Sequence, residues 1–489
     1  MMPENLGSDL WLTSPLIVLS LGALLILILE VSLGKGWPRG LVCGLILAVA
    51  GLLSLYSNPF INAGGTAFNG LLYVDPFSGF MTLLLILGAI LALLITIGRL
   101  GDQGVDALGE YYSLYLFSLA GAIIFVSAAE LITLFLGLEI MSLSLYCLCG
   151  SAIRYRRASE SALKYFLLGS FSSAFLLYGI ALIYGLTGTT FISKISDILA
   201  HLDNGLVFFA MGLILVGMIF KIGAVPFHFW APDVYEGAPT SITAYMACVI
   251  KASAFAACLR VLWVAFEQQV VFWSGAIWVM AVFTMFLGNL AALRQRSLKR
   301  MLAYSSIAHA GYMMVGFLAM GDELGGGAAM LYYLLAYSFM TMGAFGVVLA
   351  VTSRFADSKA ADDITRFNGL GYSEPLLGAL MALFMLSLAG IPPGFAGLLG
   401  KFYLFGAAVK ADYVGLAVIG VINSMISCYY YLRVIVAMYF LEPDGEGAFA
   451  TPINVPMTAS LLMCAVGVIY FGIFPSLVHE SAAAVIAML

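Results

Sequence analysis

The chain has 489 residues, of which 63% are hydrophobic and 10% charged, with a formal net charge of -5. A water-exposed globule carries about a quarter charged residues, so the composition excludes a soluble globular protein and makes lipid the main solvent. The acidic balance rests on few groups and argues neither for nor against nucleic acid; the lack of a basic tract, zinc knuckle or RNA-binding signature sets nucleic-acid binding aside.

The N-terminal stretch MMPENLGSDLWL has no basic n-region, and no small-residue cleavage site follows its apolar run. That run is too long for a signal peptide and reads as the first membrane span. A helical span needs about 20 mostly apolar residues. By that rule the fold class is an all-α integral membrane protein of about fourteen helices, near 11–33, 40–56, 76–98, 112–128, 130–150, 160–186, 205–231, 241–266, 270–293, 301–320, 327–351, 375–408, 412–438 and 456–475. The stretch 189–204 is amphipathic and is expected on the surface. The seven cysteines lie in apolar stretches without a C-x-x-C pair or a Cys/His set, so they read as small apolar side chains rather than ligands of haem, an iron–sulfur cluster or a metal.

Loop Lys and Arg residues set orientation, because cytoplasmic loops hold them in excess. One side takes Lys35, Arg39, Arg99, Arg154, Arg156, Arg157, Arg294, Arg296, Lys299, Arg300, Arg354, Lys359, Arg366 and Arg433; the other takes Lys194, Arg260 and Lys410. Both termini are therefore predicted to be periplasmic. Asp75 and Glu30 sit near span ends and read as interfacial, with subunit contacts as one role.

Five charges remain inside the spans: Glu139, Lys164, Lys221, Lys251 and Lys401. Each costs about 2.5–3.5 kcal/mol or more near the bilayer centre, and such groups mark ion paths. Lys164 is only a few residues into its span, so snorkelling to the interface and proton relay stand as equal readings. Lys251 and Lys401 sit nearer mid-span. Glu139 and Lys221 are deepest and form the natural couple, as a relay or as a buried ion pair. Lysine suits a relay because desolvation lowers its affinity for a proton and a nearby carboxylate restores it. His309 lies mid-span, where hydrogen-bonded core and proton relay are both open. His201 and His479 read as surface; His228, beyond a proline, has no assigned role.

Two spans are interrupted, one by Pro226, Pro232 and Pro239 and the other by Pro392 and Pro393. Proline removes a backbone donor, and unwound backbone in a bilayer lies in protein or against a wet cavity. Laying Ala224–Phe229 over Gly390–Phe395 gives an offset of 166 (392 − 226). Spans four to eight and nine to thirteen then form two five-helix units, each with one broken helix. Units of odd span number are inverted across the membrane. The expected divisions are 1–110 (spans one to three), 111–266 (first repeat, a proton half-channel broken near 223–232), 267–440 (second repeat, broken near 390–397) and 441–489 (last span and tail).

The strings LEIMSLSLY, KYFLLGSFSSAFLLYG, KIGAVPFHFWAPDVYEGAPT, LKRMLAYSSIAHAGYMMVG and LAGIPPGFAGLLGKFYLF resemble the antiporter-like subunits of respiratory complex I, the proton-pumping NADH–quinone oxidoreductase. The resemblance covers about residues 70 to 440. Lysine at both Lys251 and Lys401 is similar to the N-type members. The resemblance implies that Glu139 tunes Lys221 and that Lys164, Lys251 and His309 continue a hydrophilic axis ending at Lys401. It also implies no cofactor in this chain, with NADH, FMN, iron–sulfur clusters and quinone in other subunits. Expected partners are a neighbouring antiporter-like subunit, small membrane subunits and the lipid of a bacterial inner membrane. The related multisubunit cation/proton antiporters and the ferredoxin-fed or hydrogenase-type relatives of the complex are the alternatives. Hard cations such as sodium favour several oxygen ligands, and an axis of lysines with one mid-span acid favours protons.

Overall fold

The computed structural model describes residues 6–34, 36–57, 65–106, 108–202, 205–320, 325–353, 362–442 and 453–489. Lys35, Arg354 and Lys359 of the orientation argument lie outside them, as do parts of the 189–204 stretch and of the 1–110 and 441–489 divisions.

The helices run as follows: α1 (Leu6–Leu12), α2 (Ser14–Leu33), α3 (Arg39–Tyr56), α4 (Pro76–Thr96), α5 (Gly109–Ser127), α6 (Leu131–Cys149), α7 (Arg156–Thr187), α8 (Ile192–Leu199), α9 (Gly205–Ile222) and α10 (Trp230–Gly237). There follow α11 (Thr240–Tyr245), α12 (Lys251–Arg260), α13 (Val270–Leu293), α14 (Leu298–Leu318), α15 (Gly325–Thr352), α16 (Leu370–Ser373), α17 (Pro375–Ala389), α18 (Phe395–Lys410), α19 (Val414–Phe440), α20 (Val455–Ile473) and α21 (Pro475–Ile486). A short antiparallel hairpin, β1 (Gly65–Ala67) with β2 (Leu72–Val74), precedes α4. Among the described residues, 13 helices are long and apolar enough to cross a membrane. They match thirteen of the expected spans; the remaining one, 375–408, is the broken pair α17 and α18. The chain is thus an all-α polytopic membrane protein.

The polar ends are closed locally. Asp75 caps α4, accepting from Ser78 N–H at 2.7 Å while Ser78 Oγ takes the Asp75 N–H. Ser297 and Asn454 cap α14 and α20, accepting from the Arg300 and Met457 N–H groups. Without a hydrophobic drive between helices in lipid, close packing needs small residues at the contacts. On α5 and α6 they are Gly121 and Gly137: a Cβ on either would fall 2.4–2.5 Å from backbone nitrogen of the opposite helix. The hydropathic core of α15 is entirely buried, so this helix is the centre of the bundle. In contrast α2 and α3 expose apolar faces such as Leu21, Ile28, Leu41 and Leu45. Helix α8 lies as expected of an amphipathic segment, burying Ile192, Ile195 and Leu199.

Both broken spans are real. Helix α9 ends at Ile222 and α17 at Ala389, each followed by a glycine at positive φ, Gly223 (77°) and Gly390 (83°), a conformation open to glycine without a Cβ penalty. The offset between them is 167 (390 − 223), one more than the 166 obtained by pairing Pro226 with Pro392. On this register Pro226 faces Pro393, and cis bonds occur at Val225–Pro226 and Pro392–Pro393. The double proline allowed two alignments, and the helix ends select the later one. The first break is satisfied from both sides: Val225 N–H donates to Thr284 Oγ1 at 2.9 Å, and Trp230 Nε1–H donates to the Phe220 carbonyl at 2.9 Å.

Candidate functional site

The buried charges fall on the helices that break or pack around the breaks. Lys221 is in the last turn of α9, 5% exposed. Its ammonium donates to Ser142 Oγ on α6 and to Tyr165 OH on α7, each at 2.9 Å. Ser142 Oγ in turn donates a hydrogen bond to the Leu138 carbonyl. Glu139, one turn before Ser142, is half-buried and accepts from Ser173 Oγ on α7. The expected Glu139–Lys221 couple is therefore not a direct ion pair. Ser142, Ser172, Ser173 and Lys221 instead line a common small cavity. Ser172 Oγ is buried there without a partner among the described residues, so the space beside Lys221 on the side of Glu139 is polar.

Lys251 begins α12 directly after a π-helical turn, Met246–Ile250. Such turns are rare and frequent at functional sites. Its ammonium donates to the Ser306 carbonyl at 2.6 Å and contacts Ser306 Oγ on α14. The neighbouring Ser305 bonds Tyr431 OH on α19. Tyr431 in turn contacts His309 Nε2 at 3.0 Å, and Tyr333 OH of α15 contacts His309 Nδ1 at 2.7 Å. His309 is fully buried with both ring nitrogens engaged. Tyr337 lies between Lys251 and His309, its ring centre 5.9 Å from the ammonium and 5.1 Å from the imidazole. Tyr312 stands likewise between His309 (5.5 Å) and Lys401 (5.2 Å).

Lys401, on α18, turns back onto the end of α17. It donates to the carbonyls of Leu388 (3.0 Å) and Ala389 (2.9 Å) and to Ser424 Oγ (2.9 Å). All three of its protons are used, and the carbonyls are those that the helix end leaves without an internal partner. The second break thus makes the cradle for Lys401.

Lys164 stands apart. Its side chain is 43% exposed and pairs with Glu160 (3.0 Å) and Asp233 (2.9 Å). Asp233 also pairs with Arg300 (2.8 Å), and Arg300 with Glu236 (2.8 Å). This is a partly exposed ion network, which favours the anchoring reading over the relay. His228 is buried, and its Nδ1 has no partner among the described residues. His201 is exposed. His479 is half-buried and stacked on Tyr403 at 4.4 Å, which corrects its reading as plain surface. Asp75, at the end of its span, is buried and held by Arg260 through two 2.9 Å bonds. Glu30 forms a local pair with Arg39 at 2.6 Å. Among the described residues no group of three or more His, Cys, Asp or Glu side chains could hold a metal ion.

The fold and site define the class: a polytopic helical membrane protein with lysines and a histidine buried along its centre. A profile of the family described as NADH:quinone oxidoreductase/Mrp antiporter, TM, matches residues 128–427. The chain is 46% identical over 420 residues to the NADH-quinone oxidoreductase subunit N of Trichlorobacter lovleyi, covering 85% of each chain. Its structure is similar to a chain of respiratory complex I from Thermus thermophilus, with a TM-score of 0.80 and 34% identity over 95% of this chain and 98% of that one. It also has the fold of a chain in the Mrp complex from Dietzia sp., with a TM-score of 0.83 at 20% identity over 97% of each. The chain therefore belongs to the antiporter-like subunit family of NADH–quinone oxidoreductase and Mrp antiporters, in its subunit N branch.

Proposed function

We infer that this chain is the proton-translocating membrane-arm subunit N of NADH–quinone oxidoreductase. One observation carries the reading: Lys221, Lys251, His309 and Lys401 are all buried and follow one another through shared polar and aromatic neighbours. Tyr165 stacks on Trp230 at 4.6 Å and Trp230 meets Tyr235 at 6.2 Å. The Tyr235 side chain lies near Ser306, the partner of Lys251. Beyond it, Tyr337 leads to His309 and Tyr312 to Lys401.

Lysines in such surroundings exchange protons because solvation no longer fixes the charged form. A change of charge at Glu139 alters the field at Lys221 across the polar cavity. Lys221 then holds or releases its proton, the intermediate groups pass protons on, and Lys401 releases them. Lys164 serves as an interfacial anchor beside this path rather than as a step in it. Electron transfer, with NADH, FMN, iron–sulfur clusters and quinone, belongs to partner subunits, and its energy reaches this chain through the packed membrane arm. The chain lies in the bacterial inner membrane with both termini periplasmic, since the basic loops then face the cytoplasm. The two breaks, each ending at a positive-φ glycine, support the two inverted five-helix units.

The test is removal and return of the chain in its host. Membrane vesicles without it are expected to lose NADH-driven proton uptake, and re-expression is expected to restore it. Undiminished NADH-driven uptake without the chain would overturn the assignment.

A further inference from the structure

Lys299 was counted with the loop cations, yet it is in the first turn of α14 and only 7% exposed. It lines an open basin shared with Arg154, Arg157, Glu236, Ala238 and Asp362. The basin communicates with water at its rim, where the side chains of Arg154 and Arg157 are 74% and 61% exposed. At its floor the Lys299 ammonium donates to the Ala238 carbonyl at 2.7 Å. Residues seven apart on a helix share a face, and seven residues rise about 10 Å. Lys299 and Ser306 are such a pair, and His309 continues the same face. Tyr235 fills part of the interval: it is buried on α10, three residues before Ala238, and α10 packs against α14.

We propose that Lys299 is the group through which protons from the basin enter the buried line, delivering them toward Ser306 and Lys251. In the neutral state its Nζ lone pair takes a proton from water in the basin; it then gives up one proton toward Tyr235 and Ser306 and returns to neutral. The inference rests on the proton-translocating reading above. A purely structural Lys299 would hold the Ala238 carbonyl at the end of α10, where any cation is favourable.

The two roles separate with Lys299→Arg and Lys299→Ala in the assembled complex. Arginine keeps the charge and the donor but does not release a proton. Proton-transfer groups contribute at least about a hundredfold in enzymes. Even a small part of that, about tenfold, is the expected loss of NADH-driven proton uptake in both variants. Methylamine, which carries a transferable proton, is expected to restore uptake to the alanine variant, and tetramethylammonium is not. Wild-type uptake in Lys299→Arg overturns the proposal, as does an equal response to the two amines. Should Lys299→Ala fail to assemble, the arginine variant alone decides in the same terms. Unaltered complex in parallel vesicles tests the parent reading: no pumping there refutes subunit function, whereas pumping there with normal Lys299 variants refutes only this entry role.

Discussion

Lys221→Ala is expected to leave the complex assembled and to lower NADH–quinone electron transfer and proton pumping together, by about tenfold or more if Lys221 acts as a proton-transfer group. The substitution removes a group that donates to both Ser142 and Tyr165. Ser142 keeps a small cavity beside it, so the loss is chemical before it is structural. Coupled loss is the signature, since a blocked proton path in a tightly coupled machine also stops the electrons. Lys221→Arg sharpens the result. A guanidinium preserves the charge felt by Glu139 yet keeps its proton, so a relay role predicts that arginine stays low. A structural role predicts recovery. Wild-type electron transfer and pumping in assembled Lys221→Ala would remove Lys221 from the path.

Arg260→Ala is expected to strike stability instead. Arg260 is 2% exposed at the end of α12, with its guanidinium on Asp75 and packed at 4.5 Å over Tyr73 and 4.8 Å over Phe77. Burial pushes the Asp75 carboxyl up, but the Arg260 charge and the hydrogen bonds from Arg260 and Ser78 outweigh it and hold it below the usual carboxylate range. A depressed carboxyl stabilises the fold above its unfolded value and loses that contribution as pH falls through the folded one. Removing one partner of a buried pair costs about 3–5 kcal/mol because the other charge is stranded, whereas replacing both with apolar or neutral groups is often neutral. Arg260→Ala should therefore lower the melting temperature of the complex or the amount of subunit in the membrane. Arg260→Met with Asp75→Asn should recover most of that loss. Equal damage in the single and double variants would show that the stranded carboxylate is not the cause.

The spans were legible in the sequence because length and apolarity alone determine them, and the breaks because proline cannot complete a helix. Lys221, Lys251, His309 and Lys401 stood out because charge or imidazole in an apolar run needs a reason. Their partners did not. Ser142, Tyr165, Ser306, Tyr431 and Ser424 are common residues on helices far apart in the chain, and only packing makes them neighbours. A signal existed in the serine and tyrosine content of α14, α15 and α19, but such side chains are also ordinary in apolar helices. The π-helical turn before Lys251 leaves no residue signature in MACVI. Depth along a span is poorly legible in sequence. Lys164 lies inside an apolar run yet reaches exposed carboxylates on α7 and α10, and Lys299 follows a loop yet is covered by α10. Arg260 looked like an outer-loop cation because its partner, Asp75, is 185 positions away.

The continuity of the line between Lys251 and Lys401 is the central claim, and His309→Phe tests it most directly. Phenylalanine keeps the ring among Tyr312, Tyr333 and Tyr337 while deleting both nitrogen contacts, to Tyr333 and Tyr431. The measurement is NADH-driven proton uptake by inverted membrane vesicles containing the assembled variant. The account predicts uptake and electron transfer falling together; assembled His309→Phe complex pumping at the wild-type rate would contradict it.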